Sequence, residues 1–88
     1  MRRLTPTKGY RPKKGDIVVD CDPRSSLFYG QVLQVENISE AYASGRVLGG
    51  PRGPHGRDLA RMDECKRLTS RQARTLLIAY ALGGTVGT

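Results

Sequence analysis

Apolar and polar residues alternate along three stretches of the first half of the chain, and a different period takes over near its end. "KKGDIVVDC" brings a turn at Gly15 and then the β-branched run Ile17, Val18 and Val19, side chains that suit a pleated surface. It predicts a first strand. "LFYGQVLQVEN" follows a period of two, with Tyr29, Leu33 and Val35 on one face and Phe28 and Val32 on the other. Gly30 inside that run predicts a bend or a close backbone approach. "AYASGRVL" alternates again, setting Tyr42, Ser44, Arg46 and Leu48 against Ala41, Ala43 and Val47.

The second half is less regular until it becomes helical. Leu59, Met62, Cys65 and Leu68 recur every three residues, a spacing shared by a helical turn and by a short strand ending in "CKRL". The expectation is an extended or single-turn piece followed by a strand, because the earlier strands alone leave a small sheet incomplete. Thr69-x-x-Gln72 then forms a capping box, in which the threonine oxygen accepts an amide and the glutamine reaches back to the cap. Ala73, Leu76, Leu77 and Tyr80 follow at helical spacing on one face. Gly83-Gly84 supplies a left-handed stop. The pattern predicts a helix over about 70–82.

The order of a "GDIV" strand, a turn, a "GQVLQV" strand and a third alternating strand resembles small Src-homology-3-type barrels, including KOW-like modules and short phage or bacterial accessory domains. The resembling segments are Asp16–Asp20 and Tyr29–Val35, with Gly15 and Gly30 at the bends. The resemblance implies a mainly β fold: a small Src-homology-3-type barrel of four to five short antiparallel strands with a C-terminal α-helix. Such barrels bind nucleic acid or protein segments between their loops, and the fold alone does not choose between those uses. The expected organisation is a flexible basic arm over 1–14, the barrel over 15–68, the helix over 69–83 and a tail over 84–88.

Composition sharpens this picture through charge. The chain has 88 residues and a formal net charge of +7, a length that suits one small domain. Residues 1–14 hold six basic side chains and no acid, residues 65–88 hold four and no acid, and the middle holds five against eight. Basicity gathered at the two ends of a mildly acidic body is the form a nucleic-acid footprint takes. No apolar run approaches the ~20 residues of a membrane-spanning helix, and no apolar run follows the basic N-terminus. The expected location is therefore cytoplasmic. Cys21 and Cys65 are expected as reduced thiols. Arginine outnumbers lysine 11 to 4, which, with abundant Gly and Ala, hints at a GC-rich coding sequence; a bacterial or phage origin is what the resemblance implies.

Catalytic chemistry is not foreseen. The one histidine, His55, lies between Pro54 and Gly56, a poor platform for a fixed base. Cys21, Cys65 and His55 lack the paired short spacing of a zinc site. Asp16, Asp20 and Asp22 read as a solvated acidic strand end. "GGPRGPHGR", residues 49–57, is no Walker loop, since no Lys-Ser or Lys-Thr pair follows. Pro51 and Pro54 also remove amides that a phosphate cradle would use. It reads instead as a hairpin tip carrying Arg52 and Arg57.

The leading expectation is a non-enzymatic, cofactor-free module that binds DNA or RNA mainly through phosphates, with little sequence preference. Arg2, Arg3, Lys8, Arg11, Lys13 and Lys14 would form its arm. Arg52, Arg57, Lys66, Arg67, Arg71 and Arg74 would form the folded part of the footprint, with Arg71 and Arg74 opposing the dipole at the helix start. Only Tyr10 and Tyr29 are expected near basic residues, too few for a stacking platform. The alternative is a protein-interaction adaptor docking through its apolar C-terminal helix, where Ile78 and Leu82 face away from the packed side.

Overall fold

The computed structural model describes residues 5–22, 24, 29–51 and 56–83. Five strands form one antiparallel sheet: β1 (Ile17–Asp20), β2 (Val32–Ile38), β3 (Tyr42–Gly49), β4 (Arg57–Arg61) and β5 (Cys65–Leu68). A single 3-10 turn, Met62–Glu64, joins β4 to β5, and helix α1 (Ser70–Ala81) follows. The ambiguous stretch 58–68 is thus strand, turn and strand, and its three-residue spacing reflects the turn.

The order across the sheet is β4-β3-β2-β1-β5, so β4 and β5 lie at opposite edges although only three residues separate them. Four interstrand gaps of ~4.8 Å would set flat edges ~19 Å apart. The four residue steps from Arg61 to Cys65 reach at most ~14 Å even when extended. The sheet therefore curls, bringing its two edges together at one corner while it remains open.

Two apolar clusters follow from that curl. Val18, Leu33, Val35, Ala43, Val47, Ala60, Met62 and Cys65 fill the concave side. On the other face Val19, Cys21, Val32 and Leu68 meet Ala73 and Leu76 of α1, with Leu77 and Tyr80 packed against them. Strict alternation explains the division, since Val18 and Val19, like Val32 and Leu33, point to opposite faces. Gly45 allows β2 and β3 to approach at a register shift near Val35. A Cβ there would lie 1.9 Å from the Gln34 carbonyl oxygen.

Tyr29 departs from the face predicted for it. Instead of joining Leu33 and Val35, it packs with Val32 and α1. The cause is Gly30, whose φ of 87° reverses the alternation before β2 begins at Val32. Phe28, expected beside Val32, lies outside the described residues.

The helix forms as its cap dictates. Thr69 Oγ1 accepts the Gln72 amide at 3.1 Å, and the Thr69 amide donates to Gln72 Oε1 at 2.9 Å. Ala73 and Leu76 are buried, and the Tyr80 hydroxyl donates to the Gly30 carbonyl at 2.6 Å. Gly83, with φ 86°, ends the helix as its amide donates to the Tyr80 carbonyl.

Residues 5–14, expected as part of a mobile arm, are docked from Thr7 onward. The Thr7 amide donates to the Cys65 carbonyl at 3.1 Å, and the Arg67 amide donates to Thr7 Oγ1 at 3.2 Å. Tyr10 packs on the concave cluster and Pro12 is fully buried. The Gly15 amide donates to the Val35 carbonyl, and the Val35 amide to the Asp16 carbonyl, both at 2.8 Å. One aromatic ring, one proline and hydrogen bonds to β5 and β2 anchor a segment that otherwise has the composition of a disordered tail.

Candidate nucleic-acid interface

The docked segment brings part of the predicted basic footprint together. Arg11, Lys13 and Arg67 line a cleft of about 420 Å³ with Gly9, Tyr10 and Asp16. Two elements build it. β5 presents Arg67 on the same face as Val18, its partner on β1, and Cys65, since its backbone neighbours Lys66 and Leu68 face the opposite side, Leu68 within the helix-facing cluster. The segment 7–16 crosses from the outer edge of β5 toward the β2–β3 turn, where Arg11 Nη2 reaches the Glu40 carbonyl at 3.5 Å.

The floor of the cleft is a fixed carboxylate. The Tyr10 hydroxyl donates to Asp16 Oδ2 at 2.5 Å, and the Lys13 amide donates to the same oxygen at 3.1 Å. The Tyr10 bond holds the Asp16 carboxyl below its ordinary range, helped by the Lys13 amide and the nearby Arg67 charge. Burial, and then the same bond, push the Tyr10 phenol up. Asp16 is thus ionised at neutral pH and neutralises part of the cleft's charge. Lys8 and Lys14 lie exposed on the same segment.

Other predicted residues are dispersed. Lys66 is half-buried and stands opposite Val19, on the face that carries α1. Arg71 and Arg74 are exposed on the helix, where Arg74 borders an apolar groove. Arg57 sits on β4 and pairs with Glu36. Arg2, Arg3 and Arg52 lie outside the described residues, as does His55. Among the described residues of the footprint expected for the folded part, Lys66 and Arg67 are divided between the two faces of β5, because adjacent residues on one strand point to opposite sides.

Sequence reasoning did not single out Tyr42, Arg46 and Arg61 as a candidate surface. They share the outer face of β3 and β4, where Arg46 lies directly opposite Arg57 and Tyr42 opposite Arg61. The signal was present: period-two alternation in "YASGRVL" already set Tyr42 and Arg46 on one side. What was missing was the β4 register.

The acidic strand end is corrected too. Asp20 is 3% exposed and Asp22 is buried, so neither is a solvated terminal carboxylate. Asp20 Oδ1 accepts the Asp22 amide at 2.9 Å. Burial, reinforced by the charges of Asp22, Asp58 and Glu64, pushes the Asp20 carboxyl up to about 6. Asp22 instead binds the Arg24 amide and guanidinium, at 3.0 and 3.1 Å, and its carboxyl falls. Cys21 and Cys65 are free thiols, each pushed up to about 12 by burial and the Asp20 charge, so neither is a ready nucleophile.

On the helix, Ile78 is 53% and Leu82 83% exposed. Ile78 borders an apolar groove of about 410 Å³ formed with Ile17, Leu48, Ala73 and Leu77. No helix among the described residues is long and apolar enough to cross a membrane. No protein-family model, curated protein or solved structure matches this chain.

Proposed function

We propose that this chain is a non-enzymatic, cytoplasmic module that binds nucleic acid mainly through phosphates, built as a small Src-homology-3-type barrel. The barrel reading is supported by β5 returning beside β1 and by the single turn that links the two sheet edges. The observation that carries the functional reading is the cleft in which Arg11, Lys13 and Arg67 converge. Guanidinium forks fit phosphate oxygens bidentately. The docked segment also fixes the backbone that carries Arg11 and Lys13 before any ligand arrives, which lowers the ordering cost of binding.

The test is a fluorescence-anisotropy titration of random-sequence nucleic acid at several salt concentrations. Binding should weaken steeply with salt, by a log–log slope of about −0.9 for each duplex phosphate neutralised. The double substitution Lys13→Glu/Arg67→Glu should weaken binding at least tenfold and flatten that slope. These exposed positions are better targets than deletion of the arm, which would also remove Tyr10 and Pro12 from the core. Undiminished binding by the double variant would rule out the cleft as the phosphate site.

A second reading, docking of a protein partner through α1, is favoured by the apolar groove beside the exposed Ile78. Ile78→Asp combined with Leu82→Lys should leave the fold intact and abolish any self-association seen by light scattering.

A further inference from the structure

We infer that the outer face of β3 and β4 is a single-stranded nucleic-acid platform that stacks a base on Tyr42. This rests on the phosphate-binding reading above and adds to it the form of the nucleic acid. The first observation is an unfavourable pairing. Arg46 and Arg57 stand directly opposite on neighbouring strands, where like charges destabilise a sheet. Glu36 pairs with Arg57 only, and Arg46 has no ion-pair partner among the described residues. A phosphate between the two guanidinium groups would turn the repulsion into a shared contact.

The second observation is Tyr42. Tyr42 is 40% exposed, although its backbone is tied to Ser39 by three hydrogen bonds. The Tyr42 amide donates to Ser39 Oγ at 3.1 Å, while its carbonyl accepts from the Ser39 amide at 2.8 Å and from Ser39 Oγ at 3.2 Å. The ring therefore projects from a fixed backbone. Arg61 lies opposite it across the strands, paired with Asp63 at 3.5 Å in an exposed pair, which contributes little. Leu59, 47% exposed, stands opposite Ser44 between the two arginine rows.

A further cation at the Tyr42 end is the third observation. Arg11, at the rim of the cleft, touches the Glu40 carbonyl two residues before Tyr42. From Tyr42 to Arg46 is about 13 Å along β3. Tyr42, Arg61, Arg46 and Arg57 thus share one face of the sheet, with Arg11 beside its Tyr42 end. An aromatic plane offers stacking to an unpaired base of any identity, whereas the bases of a duplex are already stacked and withhold their faces. That contrast selects a single strand.

The experiment uses the full chain with labelled oligo(dT), oligo(U) and a random-sequence duplex of equal length, at several salt concentrations. Tyr42→Ala should weaken both single strands roughly tenfold and leave the duplex within about twofold. Arg46→Gln should lower the single-strand salt slope by about 0.7, the value for one lost phosphate contact. The chain has no tryptophan, so Tyr42→Trp supplies a unique fluorophore whose emission should be quenched by either oligonucleotide. A preference between oligo(dT) and oligo(U) assigns the strand as DNA or RNA. Single-strand binding unchanged by Tyr42→Ala and Arg46→Gln, with no quenching of Tyr42→Trp, overturns the inference. If Lys13→Glu/Arg67→Glu weakens binding in that case, the phosphate-binding reading survives alone; if the unaltered chain binds no nucleic acid even at low salt, both fall.

Discussion

Asp16 and Asp20 bracket the same four-residue strand and end in opposite electrostatic states. At the entrance to β1, Asp16 receives a phenol and a backbone amide and has Arg67 nearby, and its carboxyl is lowered. At the exit, Asp20 is buried with three other carboxylates in electrostatic reach, and its carboxyl rises to about 6. Residue type and local sequence do not distinguish them. Their surroundings do: Asp16 gains the Tyr10 phenol and the Lys13 amide, while Asp20 is buried near like charges. A carboxylate is stabilised by hydrogen bonds to its charged form and destabilised by desolvation and like charge. The entrance of β1 is thereby suited to remain charged beside a cationic cleft, while the exit holds a charge the fold would be better without.

The largest effect expected from this contrast is at Asp20. Its native form binds a proton more tightly than the unfolded chain does, so its contribution favours folding fully below about pH 4. That contribution is lost as pH rises through about 6. A displacement of this size corresponds to roughly 2–3 kcal/mol. Asp20→Asn keeps an oxygen for the Asp22 amide and removes the buried charge. It should stabilise the protein at pH 7.5 by about 1–2 kcal/mol, raising Tm by roughly 5–10 °C, with no gain at pH 4. Thermal denaturation of both proteins across this pH range measures it; equal pH dependence in the two would assign the effect to other groups.

At Asp16 the sign reverses and the effect is smaller. A lowered carboxyl stabilises the fold above the ordinary aspartate range and loses that contribution as pH falls through the native value. Tyr10→Phe removes the phenol donor while keeping the ring on the concave cluster. The variant should lose about 1 kcal/mol at pH 7, with the difference closing in acid, and the Asp16 carboxyl should rise in a carbon-detected NMR titration. The same substitution should leave the Asp20 titration unmoved, since the two carboxylates do not share a donor.

These two sites also show what could be read from the chain beforehand. The strands of β1 and β3 and the capped helix were legible because each is specified by neighbours within a few residues: β-branched runs, strict alternation, and Thr69 with Gln72. The docking of residues 7–16 was not, since Tyr10 and Pro12 make no periodic pattern and their partners on β5 and β2 are distant in sequence. The face of Tyr29 was misassigned because one positive-φ glycine shifts the alternation. Candidate-site residues were recoverable one by one, but their grouping was not: neighbours such as Lys66 and Arg67 divide between two faces, while Lys13 and Arg67 meet across the fold.

The smallest test separates burial from repulsion as the reason Asp20 is raised. Burial is the larger cause, and the charges of Asp22, Asp58 and Glu64 add to it. Asp58 is the informative member, because its Oδ1 accepts the Leu59 amide at 2.8 Å, a bond that the oxygen of Asn can also accept. Asp58→Asn should therefore preserve the β4 edge and remove one charge. Between partly screened charges such a change shifts a titration by only a few tenths of a pH unit. The Asp20 carboxyl should fall by that amount at low salt and by less at high salt. A fall of a full unit would make repulsion the dominant cause, and the exit of β1 would then be a charge cluster rather than a desolvated carboxylate.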